Sequence, residues 1–266
     1  MKRIAVLSAA AMLCGCAVSQ QQEVQMGAQY AAQLDQQLPM VTDPEVVRYI
    51  NVLGDSIAHV TSRRDLDWHF FVVNSPEVNA FAVPGGYVYV NRGLIDRATR
   101  MDELAGVLGH EIGHVIRRHT IKQMQQQQGA NIGITLACIL TSICNNQATG
   151  TAINAGAGAL FAKFSRTDEA QADEEGFKNV VRAGISPEGL VTMFQKLIDE
   201  RKSTPGAVDG WFATHPLEEE RIADVQRLIN TLTPAQLAAL TTDSKNFHSF
   251  KSRLESLPPP PVTRGQ

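Results

Sequence analysis

Apolar residues recur at helical spacing over Val46, Val47, Ile50, Leu53, Ile57 and Val60, directly after Asp43-Pro44. A capping aspartate followed by a first-turn proline starts a helix, so one is predicted from residue 44. Trp68 to Asn74 is rich in aromatic and β-branched residues and reads as a strand, as does Tyr87-Val88-Tyr89-Val90. Between them, Ala80-Phe81-Ala82-Val83 and the turn Pro84-Gly85-Gly86 predict a hairpin. A second helix is expected from Thr99, with Asp102 in capping-box spacing and Leu104, Val107, Leu108, Ile112, Val115 and Ile116 on its apolar side. After the glutamine run Gln125 to Gln128, the Gly/Ala-rich stretch 129–164 reads as two helices around a turn near Asn145-Asn146. Further helices are predicted over 167–182, 187–200, 217–231 and 234–241. The pattern is that of an α+β protein, mostly helical, with a small antiparallel sheet packed beside the helix from Thr99.

Composition narrows the class. The chain has 266 residues and is 44% hydrophobic, enough to bury a core. Its 24 Lys+Arg and 27 Asp+Glu give a net charge of −3 with no basic block, which excludes a nucleic-acid partner. No apolar run reaches the roughly 18–20 residues of a membrane-spanning helix. The start, however, is an export signal: basic Met1-Lys2-Arg3, apolar Ile4 to Leu13, then Cys14-Gly15-Cys16. Leu13-Cys14-Gly15-Cys16 resembles a bacterial lipobox, which implies a signal peptide over 1–15, a lipid on Cys16, and attachment to a bilayer through acyl chains alone. Ala17, rather than an acidic residue, follows Cys16, and by the same resemblance this favours the outer membrane, facing the periplasm. Residues 16–40 are expected to form a Gln/Ala-rich tether running into a helix, and 256–266 a proline-rich disordered tail. Cys138 and Cys144 form either a disulfide across a turn at Thr141-Ser142 or two buried thiols.

The chemistry sits in His110-Glu111-Ile112-Gly113-His114. Histidines at i and i+4 project from one helical face about one turn apart, so both reach one metal ion, and the donor type suits zinc. Glu111 stands beside the first histidine, where its carboxylate reaches water at the metal without binding the metal itself. A catalytic zinc needs a third protein ligand. Helical periodicity does not choose among Asp168, Glu169, Asp173, Glu174 and Glu175. His59, His69, His119 and His248 lack a comparable setting and read as surface or packing residues.

Three motifs carry a resemblance: Asn79-Ala80-Phe81-Ala82-Val83-Pro84-Gly85-Gly86, the His110–His114 segment, and Ser165-Arg166-Thr167-Asp168-Glu169-Ala170-Gln171-Ala172-Asp173. In this order they resemble the gluzincin family containing HtpX, the CAAX prenyl endopeptidase and the BepA-like and LoiP-like periplasmic proteases. The resemblance runs from about residue 40 to 230. It implies a zincin-like metallopeptidase domain over 41–255, with one zinc per chain held by His110, His114 and Glu169. Asp173 would then accept a hydrogen bond from a ligating histidine. Trp211-Phe212-Ala213-Thr214-His215-Pro216 with Arg221 resembles a later element of the family. There Arg221 is expected to stabilise an oxyanion. His215 either approaches the zinc as an inhibitory fourth ligand or caps a helix beginning at Pro216. A helical-repeat module like that of BepA-like members is not expected in the remaining length.

The implied activity is zinc-dependent metalloendopeptidase action on unfolded or misassembled cell-envelope proteins, with zinc-bound water attacking the peptide and Glu111 as general base. The strand around Tyr87–Val90, or the Asn79–Val83 segment beside it, would line the cleft. The alternative is a non-proteolytic envelope assembly factor or chaperone that uses the zinc domain as a scaffold.

Overall fold

The computed structural model describes residues 18–128, 163–216 and 219–260. The expected signal peptide with Cys16, the Cys138/Cys144 pair, the helices of 129–162 and the end of the proline-rich tail lie outside the described residues.

The first helix, α1 (Gln20–Gln37), starts at a capping box: Ser19 Oγ accepts from the Gln22 backbone, and the Gln22 side chain accepts from the Ser19 N–H. The second, α2 (Pro44–Ala58), starts at Asp43, whose carboxylate accepts from the backbone of Glu45 and Val46. Val46, Ile50, Leu53 and Ile57 of the predicted stripe are buried, while Val47 is exposed, off the buried face.

Three strands follow: β1 (His69–Val73), β2 (Ala80–Val83) and β3 (Tyr87–Asn91). The expected hairpin is present, with β2 antiparallel to β3 across a turn in which Gly85 and Gly86 take φ of 86° and 103°. Only glycine adopts such angles without strain. The sheet order is β1-β3-β2, and β1 pairs with β3 in parallel, so the expected antiparallel sheet is in fact mixed. The cause is topological: the chain leaving β1 crosses to the far edge before the hairpin returns it to the centre. The outer edge of β1 is covered by residues 39–41, where the Val41 N–H donates to Val72 O and the Asn74 N–H to Pro39 O.

Strand alternation divides the sheet between two cores. Phe70, Val72, Ala80, Ala82, Val88 and Val90 face the main core. Phe81, Val83 and Tyr89 face a smaller one with Val18, Met26 and Tyr30, so α1 packs across that side of the sheet.

Beyond β3 come α3 (Arg92–Arg97), α4 (Met101–Ile116) and α5 (His119–Gln128), then α6 (Arg166–Arg182), α7 (Glu188–Ser203) and α8 (Asp209–Thr214). The described chain closes with α9 (Glu219–Ile229), α10 (Pro234–Ala238) and α11 (Lys245–Ser256). Helices α6, α7, α9 and α10 correspond to predicted segments. Helix α11, which buries Phe247, Phe250 and Leu254, was not anticipated. Nor was α5, which extends through the glutamine run.

Helix α4 departs from expectation in two ways. It is buried on all sides from Met101 to Val115, so it is the central helix of the domain and not an amphipathic surface helix. Its start is also not the Thr99/Asp102 capping box. Arg100 is the N-cap and Asp102 binds the Arg100 guanidinium, while the Thr99 N–H donates to Glu103. The first helical N–H groups are taken by distant partners: Met101 donates to Asp243 Oδ1 and Asp102 to Thr242 O. A tertiary contact has replaced the local cap.

Helices α4 and α6 approach closely because their facing residues are small. A Cβ on Gly113 would lie 2.6 Å from Ala172 O, and one on Gly109 2.9 Å from a Val180 methyl. The contact at Gly113 is with backbone, which cannot move alone. Gly113→Ala gains about 1 kcal/mol of helix propensity but loses about 1–3 kcal/mol to overpacking. We expect a net fall in the denaturation midpoint, with weaker metal uptake because the helices carry the candidate ligands; a raised midpoint would show that the helices separate freely.

Candidate metal centre

The close approach of α4 and α6 brings His110 and His114 of the first against Glu169 of the second. His215, just past the end of α8, completes a cluster in which all four side chains are fully buried. His110 Nε2 lies 3.1 Å from His114 Nε2 and 3.3 Å from His215 Nδ1. Glu169 Oε1 lies 3.3 Å from His114 Nε2 and 3.2 Å from His215 Nδ1. A tetrahedral zinc with arms of about 2.0–2.1 Å has ligand atoms about 3.3 Å apart. The spacing therefore fits that ion.

The electrostatics fit as well. Glu111, Glu169 and Asp173 are three buried carboxylates, and Arg221 is the buried permanent cation among them. A divalent cation cancels the remaining formal charge. Both oxygens of Glu111 and the Nε2 of His215 have no hydrogen-bond partner, and they lie 3.5 Å apart at the closest. Buried acceptors left unpaired are costly unless something polar occupies the space between them.

Burial raises the Glu111 carboxyl above its ordinary pKa. Burial opposes ionisation of Glu169 too, but His215 and Arg221 outweigh it and hold that carboxyl well below the usual range. Asp173 is likewise lowered against its burial, by Arg221 and His110. Burial pushes His114 well below the ordinary histidine value, toward the neutral form that ligates metal. His215 moves the other way: burial favours its neutral form, but Glu169 and Glu111 prevail.

A second layer orients the first. Asp173 Oδ1 accepts from His110 Nδ1 at 2.8 Å, which directs Nε2 of that ring into the cluster. Arg221 grips Asp173 through Nε and Nη2, both at 2.7 Å, and donates through Nη1 to Glu169 and to Pro216 O. With four N–H groups so engaged, at most one remains for the oxyanion contact expected from the sequence. The ring nitrogens of His215 face His110 and Glu169, which puts the side chain in the cluster, while its backbone N–H, at the C-cap of α8, donates to Trp211 O. Aromatic rings pack the histidines: Phe164 stacks on His114 at 4.0 Å and Trp211 on His215 at 4.6 Å.

Of the surface and packing roles expected for His119, the structure shows the second: it is buried with its Nδ1 2.9 Å from His114 Nδ1. Five residues along one continuous helix would place it about 140° around the axis from His114. The helix breaks at Arg118, whose φ of 57° turns the chain and returns the ring to its neighbour. That backbone state costs a non-glycine residue about 1–2 kcal/mol. Arg118 is held in it by buried Glu23 and by Val18 O. His59, His69 and His248 are exposed, as expected.

Fold and site together define a metallopeptidase of zincin type. Residues 44–229 match peptidase family M48, and the chain belongs to that family. It is 33% identical over 250 residues to the beta-barrel assembly-enhancing protease of Escherichia coli K12, covering 90% of this chain and 49% of the relative. It is 29% identical to metalloprotease LoiP of the same organism over 182 residues, 68% of this chain and 70% of LoiP. Metalloprotease YcaL is 30% identical over 158 residues, 59% and 61% of the two chains. The chain thus spans about half the length of the beta-barrel assembly-enhancing proteases it matches.

The double grip of Arg221 yields a stability test. Arg221→Leu leaves two buried carboxylates without their counter-ion, a loss of about 3–5 kcal/mol. It should appear as a large drop in the denaturant midpoint of the metal-free protein. Arg221→Lys, which keeps the charge without the fork, should lose less; equal midpoints for all three proteins would mean the clamp contributes nothing.

Proposed function

We propose that this protein is a zinc-dependent metalloendopeptidase that degrades unfolded or misassembled cell-envelope proteins. The observation carrying the reading is Glu111: fully buried, next in sequence to His110, and without a hydrogen-bond partner at either oxygen among the described residues. A zinc site serving only architecture has no use for an unpaired carboxylate in the core, whereas hydrolysis needs a base there.

His110, His114 and Glu169 would hold one zinc per chain, with Asp173 fixing the His110 ring. A zinc so held supplies Lewis acidity, activating water and polarising a peptide carbonyl. Glu111 takes the proton of the attacking water and returns it to the leaving amine. Arg221 keeps Glu169 and Asp173 ionised, and its remaining N–H is the one available to a developing oxyanion. The substrate lies extended along Asn79–Val83, where backbone pairing to β2 gives affinity with loose sequence preference. Export, lipidation at Cys16 and outer-membrane attachment facing the periplasm complete the reading. No described helix is long and apolar enough to cross a membrane.

Four protein donors make a closed site, while a catalytic zinc keeps a position open. This favours His215 as an inhibitory fourth ligand whose withdrawal admits substrate and water. The same closure is what a non-proteolytic assembly factor with a structural zinc would have, and Glu111 weighs against that alternative.

Two measurements test the reading. Glu111→Gln should bind zinc as the parent does yet lose about 10²–10⁴-fold in casein hydrolysis, the range of a general base; undiminished hydrolysis would refute its role. His215→Ala should raise basal hydrolysis several-fold with zinc retained, and a fall in rate would show that His215 assists catalysis instead of blocking it.

A further inference from the structure

Behind the ligand cluster, one chain of hydrogen bonds has a readable direction. His119 Nε2 lies 3.0 Å from Gln171 Oε1 and 3.7 Å from Asp168 Oδ1. Both are acceptors, and Asp168 is anchored by Lys122 Nζ, 2.9 Å from the same Oδ1, and by Ser165 Oγ, 2.6 Å from Oδ2. A nitrogen facing two acceptors carries the proton, so in the neutral ring Nδ1 of His119 has the lone pair. That lone pair faces His114 Nδ1 at 2.9 Å, which must then donate. His114 is left with its own lone pair on Nε2, the atom 3.1 Å from His110 Nε2 and 3.3 Å from Glu169 Oε1.

We infer that His119 is a positioning residue for the metal centre: through Gln171 and its own ring it holds His114 in the Nδ1–H tautomer, which alone presents Nε2 to a cation. The inference rests on the reading of the cluster as a zinc site. With the chain reversed, His119 would donate from Nδ1 and His114 would carry a proton on Nε2, pointing hydrogen at the ligand atoms. The two zinc-facing histidines thus have different supports. His110 leans on a carboxylate, Asp173, and His114 on a neutral imidazole, so the second support directs the ring without adding charge.

The delivery of His119 is itself built. Its ring reaches His114 only because Arg118 takes the left-handed backbone state, and Arg118 is tied to Glu23 of α1. Phe164 stacks on the His114 ring at 4.0 Å and lies 6.2 Å from that of His119, packing one side of the pair.

Two readouts on the full chain test this. In zinc-loaded protein with ¹⁵N-labelled histidine, long-range ¹H–¹⁵N correlation should show the proton on Nδ1 of His114 and on Nε2 of His119. A proton on Nδ1 of His119 overturns the inference. Zinc affinity is then measured by competition with a chelating dye. His119→Phe should bind zinc about 10–100-fold more weakly than the parent, the range for loss of such a supporting contact. His119→Asn, whose Oδ1 can replace the accepting Nδ1, should recover most of that affinity. Equal affinity in the parent and in His119→Phe overturns the inference with the zinc site intact. A parent that takes up no zinc defeats the metal-centre reading on which the inference rests; where zinc binds, the tautomer measurement decides the role of His119. That measurement also serves if His119→Phe fails to fold.

Discussion

The structure is organised around three carboxylates buried in one small volume. Glu111, Glu169 and Asp173 have almost no contact with solvent, and Arg221 alone gives them a permanent positive partner. Isolated charges in such surroundings are tolerated only when paired, hydrogen-bonded or bound to a metal. Much of the domain meets that demand. Helix α4 is buried on every side so that its acid and histidines face inward, α6 is pressed against it over glycine and alanine, and α9 contributes the guanidinium.

From this constraint follows a layered arrangement. Each candidate ligand that faces the centre is held from behind: His110 by Asp173, His114 by His119, Glu169 by Arg221. The layers belong to different helices, so the geometry is a property of the packed domain. Even the turn that carries His119 depends on α1, through Glu23 and Arg118. Helix α1 is therefore connected, through the partly buried contact of Glu23 with Arg118, to the supports of the candidate metal centre. His215 plays two electrostatic parts in this picture. It offers a fourth donor to a cation, and Glu169 and Glu111 favour its charged form.

The sequence carried the local elements well where a local signal exists. The Asp43-Pro44 start, the Ala80–Tyr87 hairpin with its glycine turn, and the long acidic helix after Ser165 were all readable from spacing and capping. So were the two histidines one turn apart. Signals failed where the partner was remote. Helix α4 draws its N-terminal acceptors from Asp243 and Thr242, far along the chain, so Thr99 misled as a cap. The parallel pairing of β1 with β3 depends on the crossing to β2, which no alternation of side chains encodes. His119 sits at a spacing that points away from His114 on any unbroken helix, and only the left-handed turn at Arg118 reverses that.

By itself, then, the chain determined its elements, the i and i+4 histidines with Glu111 beside the first, and the acidic segment from which a third donor would come. These depend on contacts within a few residues, which spacing records. Which acid faces the histidines, where His215 lies, how Arg221 divides its donors and which way the hydrogen bonds behind His114 run were decided only in the folded domain. The reason is that burial and charge pairing act between helices separated by dozens of residues, and the free energy that selects one carboxylate over its neighbours exists only once water has been excluded from between them.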